Sequence, residues 1–197
     1  MAGVWLEALE GHAPDLVAAF RALGEGRYVA VRREVRRRGG EGSAMRVAAQ
    51  HAAVAEHLDG LIAAASAAVL AAPGGEEDWN VAQALGHTIA ARQGLVLAAQ
   101  MAAIGRWPAD APTVVPGVPG PLDTGSEDLR TRLARSQRFI ERAAERIAGH
   151  ELEPCPLDHP LVGRLRCGEW VLFAGVHDLM HLEQLERLVR SESAARP

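Results

Sequence analysis

The stretch that decides the fold runs from Gly168 to Leu188 and reads "GEWVLFAGVHDLMHLEQLERL". Its apolar residues recur at spacings of three and four, the mark of a helix with one face turned to a core. His177 and His181 fall on that same face, four residues apart, so their Cβ atoms should be neighbours at about 5–6 Å. Imidazoles set among Trp170, Phe173, Ala174, Met180 and Leu188 need partners, because a buried polar ring without one is costly.

Working back toward the N-terminus, almost every segment reads as helix. Val54, Leu58, Ile62, Ala65 and Val69 mark a long amphipathic helix over 44–72, which Ser43 can cap and "PGGEED" ends. Asn80 with Gln83 three residues on has the form of a capping box opening a helix over 79–105. Ser126 starts a third helix over 126–149, with Glu127 and Asp128 in its first turn and Arg142 and Arg146 toward its end, in agreement with the helix dipole. The fourth extends over 168–190. Between the second and third lies "RWPADAPTVVPGVPGPLDTG", a Pro- and Gly-rich stretch that no helix or central strand tolerates. A loop of that length carries function or crosses the fold. The shorter connections on either side predict antiparallel neighbours, so the fold class is all-α: a four-helix bundle with one long crossover between helices two and three. A further helix from about Val4 to Leu23 and a basic segment over 27–38 form an N-terminal helical extension. The expected organisation is therefore an extension over 1–43, a bundle over 44–192 and a tail over 193–197.

Composition narrows the function classes. The chain has 197 residues, a formal net charge of −4, and 21 basic residues that are all arginine. Mild acidity gives no general attraction to nucleic acid or an anionic membrane. The run "RREVRRR" at Arg32 to Arg38 is read first as a solvated helix face and only second as a phosphate or nucleic-acid contact. No apolar run approaches the roughly 20 residues of a membrane span, and the first residues carry acids where a signal peptide carries base. A cytoplasmic location is expected. Cys155 and Cys167 stand in no metal-ligand spacing, and they read as free thiols.

Two histidines at i and i+4 can grip one metal, but a stable site needs a third protein ligand. His12, His51, His57, His87, His150 and His159 are the candidates. His87 lies about two turns into the second long helix among Ala84, Ala91, Gly94 and Ala98, where another helix can approach closely. His51 lies on an apolar face too, but antiparallel pairing over 44–72 and 79–105 puts it ~20 Å along the axis from the level of His87. His57 falls on a polar face, and His150 and His159 in loops. His87 is the best third ligand. Gln184, one turn beyond His181, can orient a ligand or a water. Asp178 is read as an exposed or outer-sphere acid, Trp79 and Trp170 as packing residues, and Arg92 as either a bundle ion-pair residue or an anchor for an anionic substrate. "HDLMH" departs from the H-E-x-x-H of metalloproteases by its shorter acid, and no histidine has a glutamate three residues before it, as a di-iron bundle requires.

Together, "WNVAQALGHTIAAR" (79–92) and "HPLVGRLRCGEWVLFAGVHDLMHLEQL" (159–185) resemble the DinB/YfiT-like family of bacterial four-helix-bundle proteins. The family pattern is a Trp, a His about eight residues later in helix two, and H-x-x-x-H followed by Gln in helix four; here these are Trp79, His87, His177, His181 and Gln184. The resemblance covers roughly 44–190. It implies an up-down-down-up bundle, a divalent metal, usually zinc or nickel, on His87, His177 and His181, and frequent homodimers. It further implies a metal-dependent hydrolase or a transferase using a small thiol of the bacillithiol, mycothiol or glutathione type, in stress response or detoxification. A non-catalytic, metal-binding, dimerising bundle is the alternative. A small-molecule substrate is expected, without membrane or nucleic-acid partners.

Overall fold

The computed structural model describes residues 4–25, 28–74, 78–122 and 124–194, with no side chains described at 24, 25 and 189–194. The expected tail falls outside this from residue 195 on. The elements are α1 (Val4–Glu10), α2 (Pro14–Arg21), a 3-10 turn (Ala22–Glu25), α3 (Tyr28–Arg38), α4 (Ser43–Ala64), α5 (Ala67–Ala71), α6 (Val81–Ala103), α7 (Ser126–Ile147), β1 (Pro154–His159), β2 (Gly163–Arg166) and α8 (Cys167–Ala194). The architecture is all-α apart from a small hairpin. Among the described residues no helix is long and apolar enough to cross a membrane.

Helices α4, α6, α7 and α8 make the bundle. Each of α4 and α6 packs on both α7 and α8, so α4 faces α6 across one diagonal and α7 faces α8 across the other. This departs from the expectation that 44–72 and 79–105 would lie side by side. The reason is local. The long first helix ends at Ala64, where Ala65 turns extended, and Ser66 then caps the short α5 by accepting from the Val69 N–H at 3.3 Å. The connection to α6 is thus long enough to cross the end of the bundle. The alanine run around Ser66 carries no periodic signal that would have marked the break. The expected helix over 4–23 is likewise two helices, because Pro14 opens α2 as its first residue and its ring cannot sit inside a continuing one.

Capping follows the sequence at one end and departs from it at another. The Asn80 side chain accepts from the Gln83 N–H at 2.8 Å, and the Gln83 side chain accepts from the Asn80 N–H at 3.1 Å, a reciprocal capping box. Ser43 does not cap α4. The N-cap residue is Gly42, and the buried carboxylate of Glu151 accepts from the Ala44 N–H at 3.4 Å and from the Gly149 N–H at 2.9 Å. At the end of α6 Gly105 has φ +65°, with its N–H on Ala102 O and the Arg106 N–H on Met101 O, the pairing of a Schellman motif. That left-handed residue turns the chain into the crossover.

The N-terminal helices share the bundle's core. Trp5, Leu6, Leu16, Val17 and Phe20 belong to one continuous buried cluster with Trp170, Phe173 and Val176 of α8. Gln50 of α4 accepts from the Asp15 and Leu16 N–H groups at 2.9 and 3.3 Å, tying the start of α2 to the bundle. The arginine run is partly neutralised on the surface: Arg38 pairs with Asp15 at 2.9 Å and with Glu34 at 3.2 Å, Arg37 pairs with Glu34 at 2.6 Å, and Arg32 donates to Arg164 O at 3.3 Å.

The hairpin of β1 and β2 was not legible beforehand. It holds the crossover in place: the Val115 N–H donates to Asp158 O at 3.0 Å, and the Asp158 N–H to Thr113 O at 2.7 Å. Farther along, the Gly120 N–H donates to Gln83 O at 3.1 Å. Gly86 and Gly120 touch there, and a Cβ on Gly120 would stand 2.7 Å from Gly86 Cα, so both positions need glycine. The crossover is a wall laid along α6.

Candidate metal centre

His87 of α6 meets His177 and His181 of α8 where these two helices pack. Ring centroids lie 5.5 Å apart for His87 and His177, 5.1 Å for His87 and His181, and 4.6 Å for His177 and His181. One nitrogen from each ring lies within 4.8 Å of the others. Trp79 covers the outer side of His87 at 5.0 Å between centroids.

The outer hydrogen bonds decide which nitrogens point inward. The His87 Nδ1–H donates to Val118 O at 2.7 Å, which leaves Nε2 to carry the lone pair. The His181 Nδ1–H donates to Gln184 Oε1 at 3.3 Å, and Gln184 Nε2 in turn donates to Gly74 O. Two of the three rings are therefore oriented from behind, as second-sphere partners orient metal-binding imidazoles. His177 Nδ1 is buried and has no hydrogen-bond partner among the described residues. Burial, then the neighbouring His181, His87 and His159, hold the pKa of His177 well below 6.5, so it does not ionise in neutral solution. Three converging imidazoles, one with an unpartnered buried nitrogen, fit a divalent cation with an open fourth position. They make a poor structural core: lone pairs facing one another gain nothing from the contact.

One helical step away the same helices build a second polar cluster. Arg92 and Asp178 are fully buried, with Arg92 Nε 2.9 Å from Asp178 Oδ2. The Arg92 guanidinium also donates to Ser136 Oγ at 3.3 Å, Gln137 Oε1 at 3.0 Å and His51 O at 3.3 Å. Arg92 so touches α4, α7 and α8 from α6. His51 lies under this ion pair, its Nδ1 3.6 Å from Asp178 Oδ2 and its Nε2 2.8 Å from Val171 O. Asp178 is thereby corrected from an exposed acid to a buried partner of Arg92, and of the two readings of Arg92 the geometry selects the bundle ion-pair residue. His51 stays out of the histidine cluster, as expected. It is reached instead by the long side chain of Arg92, whose guanidinium donates to His51 O.

The remaining candidates lie elsewhere. His57 Nε2 is 2.8 Å from Glu186 Oε1, and His12 and His150 are exposed. His159 packs edge-on to Phe173 at 4.8 Å, and burial lowers its pKa to about 4. Burial raises the Cys155 thiol to about 11 and the Cys167 thiol to about 12, so neither is a ready nucleophile. The contacts that sequence reasoning missed are backbone ones, the carbonyls of Val118 and Gly74. Their only advance signal is the Pro-flanked, extended character of the segment around Val118.

Beside His87 opens a cavity of ≈ 390 Å³ between α6 and the crossover. Ala91, Gly94, Ala98 and Met101 form one side, and Trp107 and Val115 form part of the other. Apart from His87 it is lined by apolar side chains and glycine.

The family model of the DinB superfamily matches residues 73–185, more than half of the chain, and spans all three histidines. No curated protein and no solved structure matches the chain.

Proposed function

The chain belongs to the DinB superfamily, and on that premise we propose that it is a metal-dependent enzyme acting on a small molecule, by hydrolysis or by transfer to a low-molecular-weight thiol. The observation that carries this reading is the convergence of His87, His177 and His181, with one nitrogen of each within 4.8 Å of the others. These three residues would hold one divalent cation, zinc or nickel, through imidazole nitrogens. Such a cation supplies Lewis acidity, which brings the ionisation of a water or thiol down toward neutral pH.

The protein's own contribution is orientation and exclusion of water. Val118 O holds the His87 ring so that its Nε2 faces the centre. The Gln184 side chain, anchored on Gly74 O, does the same for His181. Burial keeps His177 unprotonated and therefore ready as a ligand. The apolar cavity bordered by His87 would take the substrate.

Elemental analysis of protein purified without chelators, beside a His87→Ala/His177→Ala/His181→Ala variant, tests the reading. About one zinc or nickel per chain in the wild type and none in the variant is expected, with ester hydrolysis or thiol transfer lost on His177→Ala. Metal that only raises the melting temperature, with no ester or thiol turned over, would leave a non-catalytic metal-binding bundle instead.

A further inference from the structure

We infer that the cavity between α6 and the crossover is a substrate subsite for a neutral, unbranched hydrocarbon chain, whose reacting head lies at the histidine cluster. This rests on the metal-enzyme reading for the head and on the cavity alone for the chain.

Three observations carry it. First, no charged side chain lines the cavity, and an ionised group placed there would lose its hydration without a counter-ion. Second, its lining extends along α6. From Ala91 to Met101 the wall runs about 15 Å along α6, at 1.5 Å per residue. Spread over that length, ≈ 390 Å³ leaves a cross-section suited to one chain rather than to stacked rings. At the density at which benzene fills a cavity of about 150 Å³, the volume takes on the order of fifteen carbon atoms. Third, the side facing α6 is kept open at a cost to the helix. Gly94 sits in mid-helix, where glycine is a poor helix former, and a Cβ there would meet nothing within 4 Å. Gly94 is exposed at the open side of the cavity, so packing does not account for a glycine there.

His87 borders both the cavity and the histidine cluster, while His177 and His181 lie outside the cavity lining. The same crossover supplies the Val118 carbonyl that orients that ring and the apolar wall that would hold the chain. An occupant lying along α6 would bring one end to His87, the residue the two share.

The test uses the full chain, metal-free and zinc-loaded, titrated with 1-butanol, 1-hexanol and 1-octanol and followed by amide chemical shifts. Affinity is expected to rise about threefold to fourfold per added methylene, with the largest shifts at Gly94, Ala98 and Val118. Gly94→Leu, and independently Ala98→Leu, should weaken 1-octanol at least tenfold while changing zinc affinity less than twofold. His177→Ala should lose zinc and keep 1-octanol. Binding without chain-length dependence, shifts centred elsewhere, or indifference to both leucine variants would overturn the subsite. So would a wild-type dimer that Gly94→Leu dissociates, since a second copy would then be the occupant. Wild-type protein that binds 1-octanol as described but takes no zinc would leave the subsite standing and remove the metal reading; the reverse pattern would do the opposite.

Discussion

Helices α6 and α8 carry two polar clusters whose members are close in sequence, and the two are built on opposite principles. His177 and Asp178 are adjacent residues, and His87 and Arg92 lie five apart. Asp178 and Arg92 cancel one another's charge inside the core, and Arg92 spends its remaining donors on α4 and α7. The histidines bring together nitrogens of like character and leave His177 Nδ1 unpartnered. One cluster balances its own charge, with Asp178 Oδ1 left without a hydrogen-bond partner among the described residues. The other is a set of imidazole nitrogens that a cation would complete. A buried ion pair is a weak source of net stability but a strong selector of register. The register that joins Arg92 to Asp178 is also the one that sets His87 beside His177 and His181.

The largest effect should come from breaking the charge-balanced cluster. Arg92→Met strands the Asp178 carboxylate in the core, and urea denaturation should show a loss of about 3–5 kcal/mol. Adding Asp178→Leu to that variant should recover most of the loss, since two apolar groups then replace both charges. Failure of the double variant to recover would mean that the pair contributes more than compensation. A smaller effect is expected at the incomplete cluster. Gln184→Ala releases the His181 ring, and zinc affinity measured against a chromophoric chelator should fall about 10–100-fold. Global stability of the metal-free protein should change far less than with Arg92→Met.

Acid separates the clusters further. His159 and His177 have folded-state pKa values below the ordinary 6.5, to about 4 for His159, so the unfolded chain binds more protons below neutrality. Their contribution is fully present above about pH 6.5 and is lost as pH falls toward 4. The melting temperature of metal-free protein should therefore decline between pH 7 and 5, and His159→Phe should flatten that decline. The smallest effect is expected at the cysteines. With thiols raised to about 11 and 12, iodoacetamide at pH 8 should label neither Cys155 nor Cys167 until denaturant is added. Rapid labelling of the native protein would show that the hairpin opens.

The four bundle helices were legible in the sequence because long periodic segments, the Asn80–Gln83 box and the proline-rich crossover all announce themselves locally. The spacing of His177 and His181 was legible for the same reason, as was His87 as a partner worth testing. What stayed hidden depends on which helix faces which. The burial of Asp178 could not be read from its own helix, where it follows a histidine at an angle that looks outward. It is fixed by Arg92, which arrives from α6. The break at Ala65 is invisible in an alanine-rich run, and with it went the diagonal placement of α4 and α6. The hairpin over 154–166 was masked by Pro154, Pro156 and Pro160, which argue against a strand unless it lies at an edge, as this one does.

The hydrogen bond from His87 to Val118 O joins a ligand ring to the segment that walls the cavity. A cation that needs that ring fixed and an occupant that needs that wall in place would draw on a common equilibrium. Whatever factor the first adds to the affinity of the second, the second must return to the first. The crossover is in that sense a thermodynamic coupler, and its fifteen or so residues between Arg106 and Pro121 set the strength of the exchange.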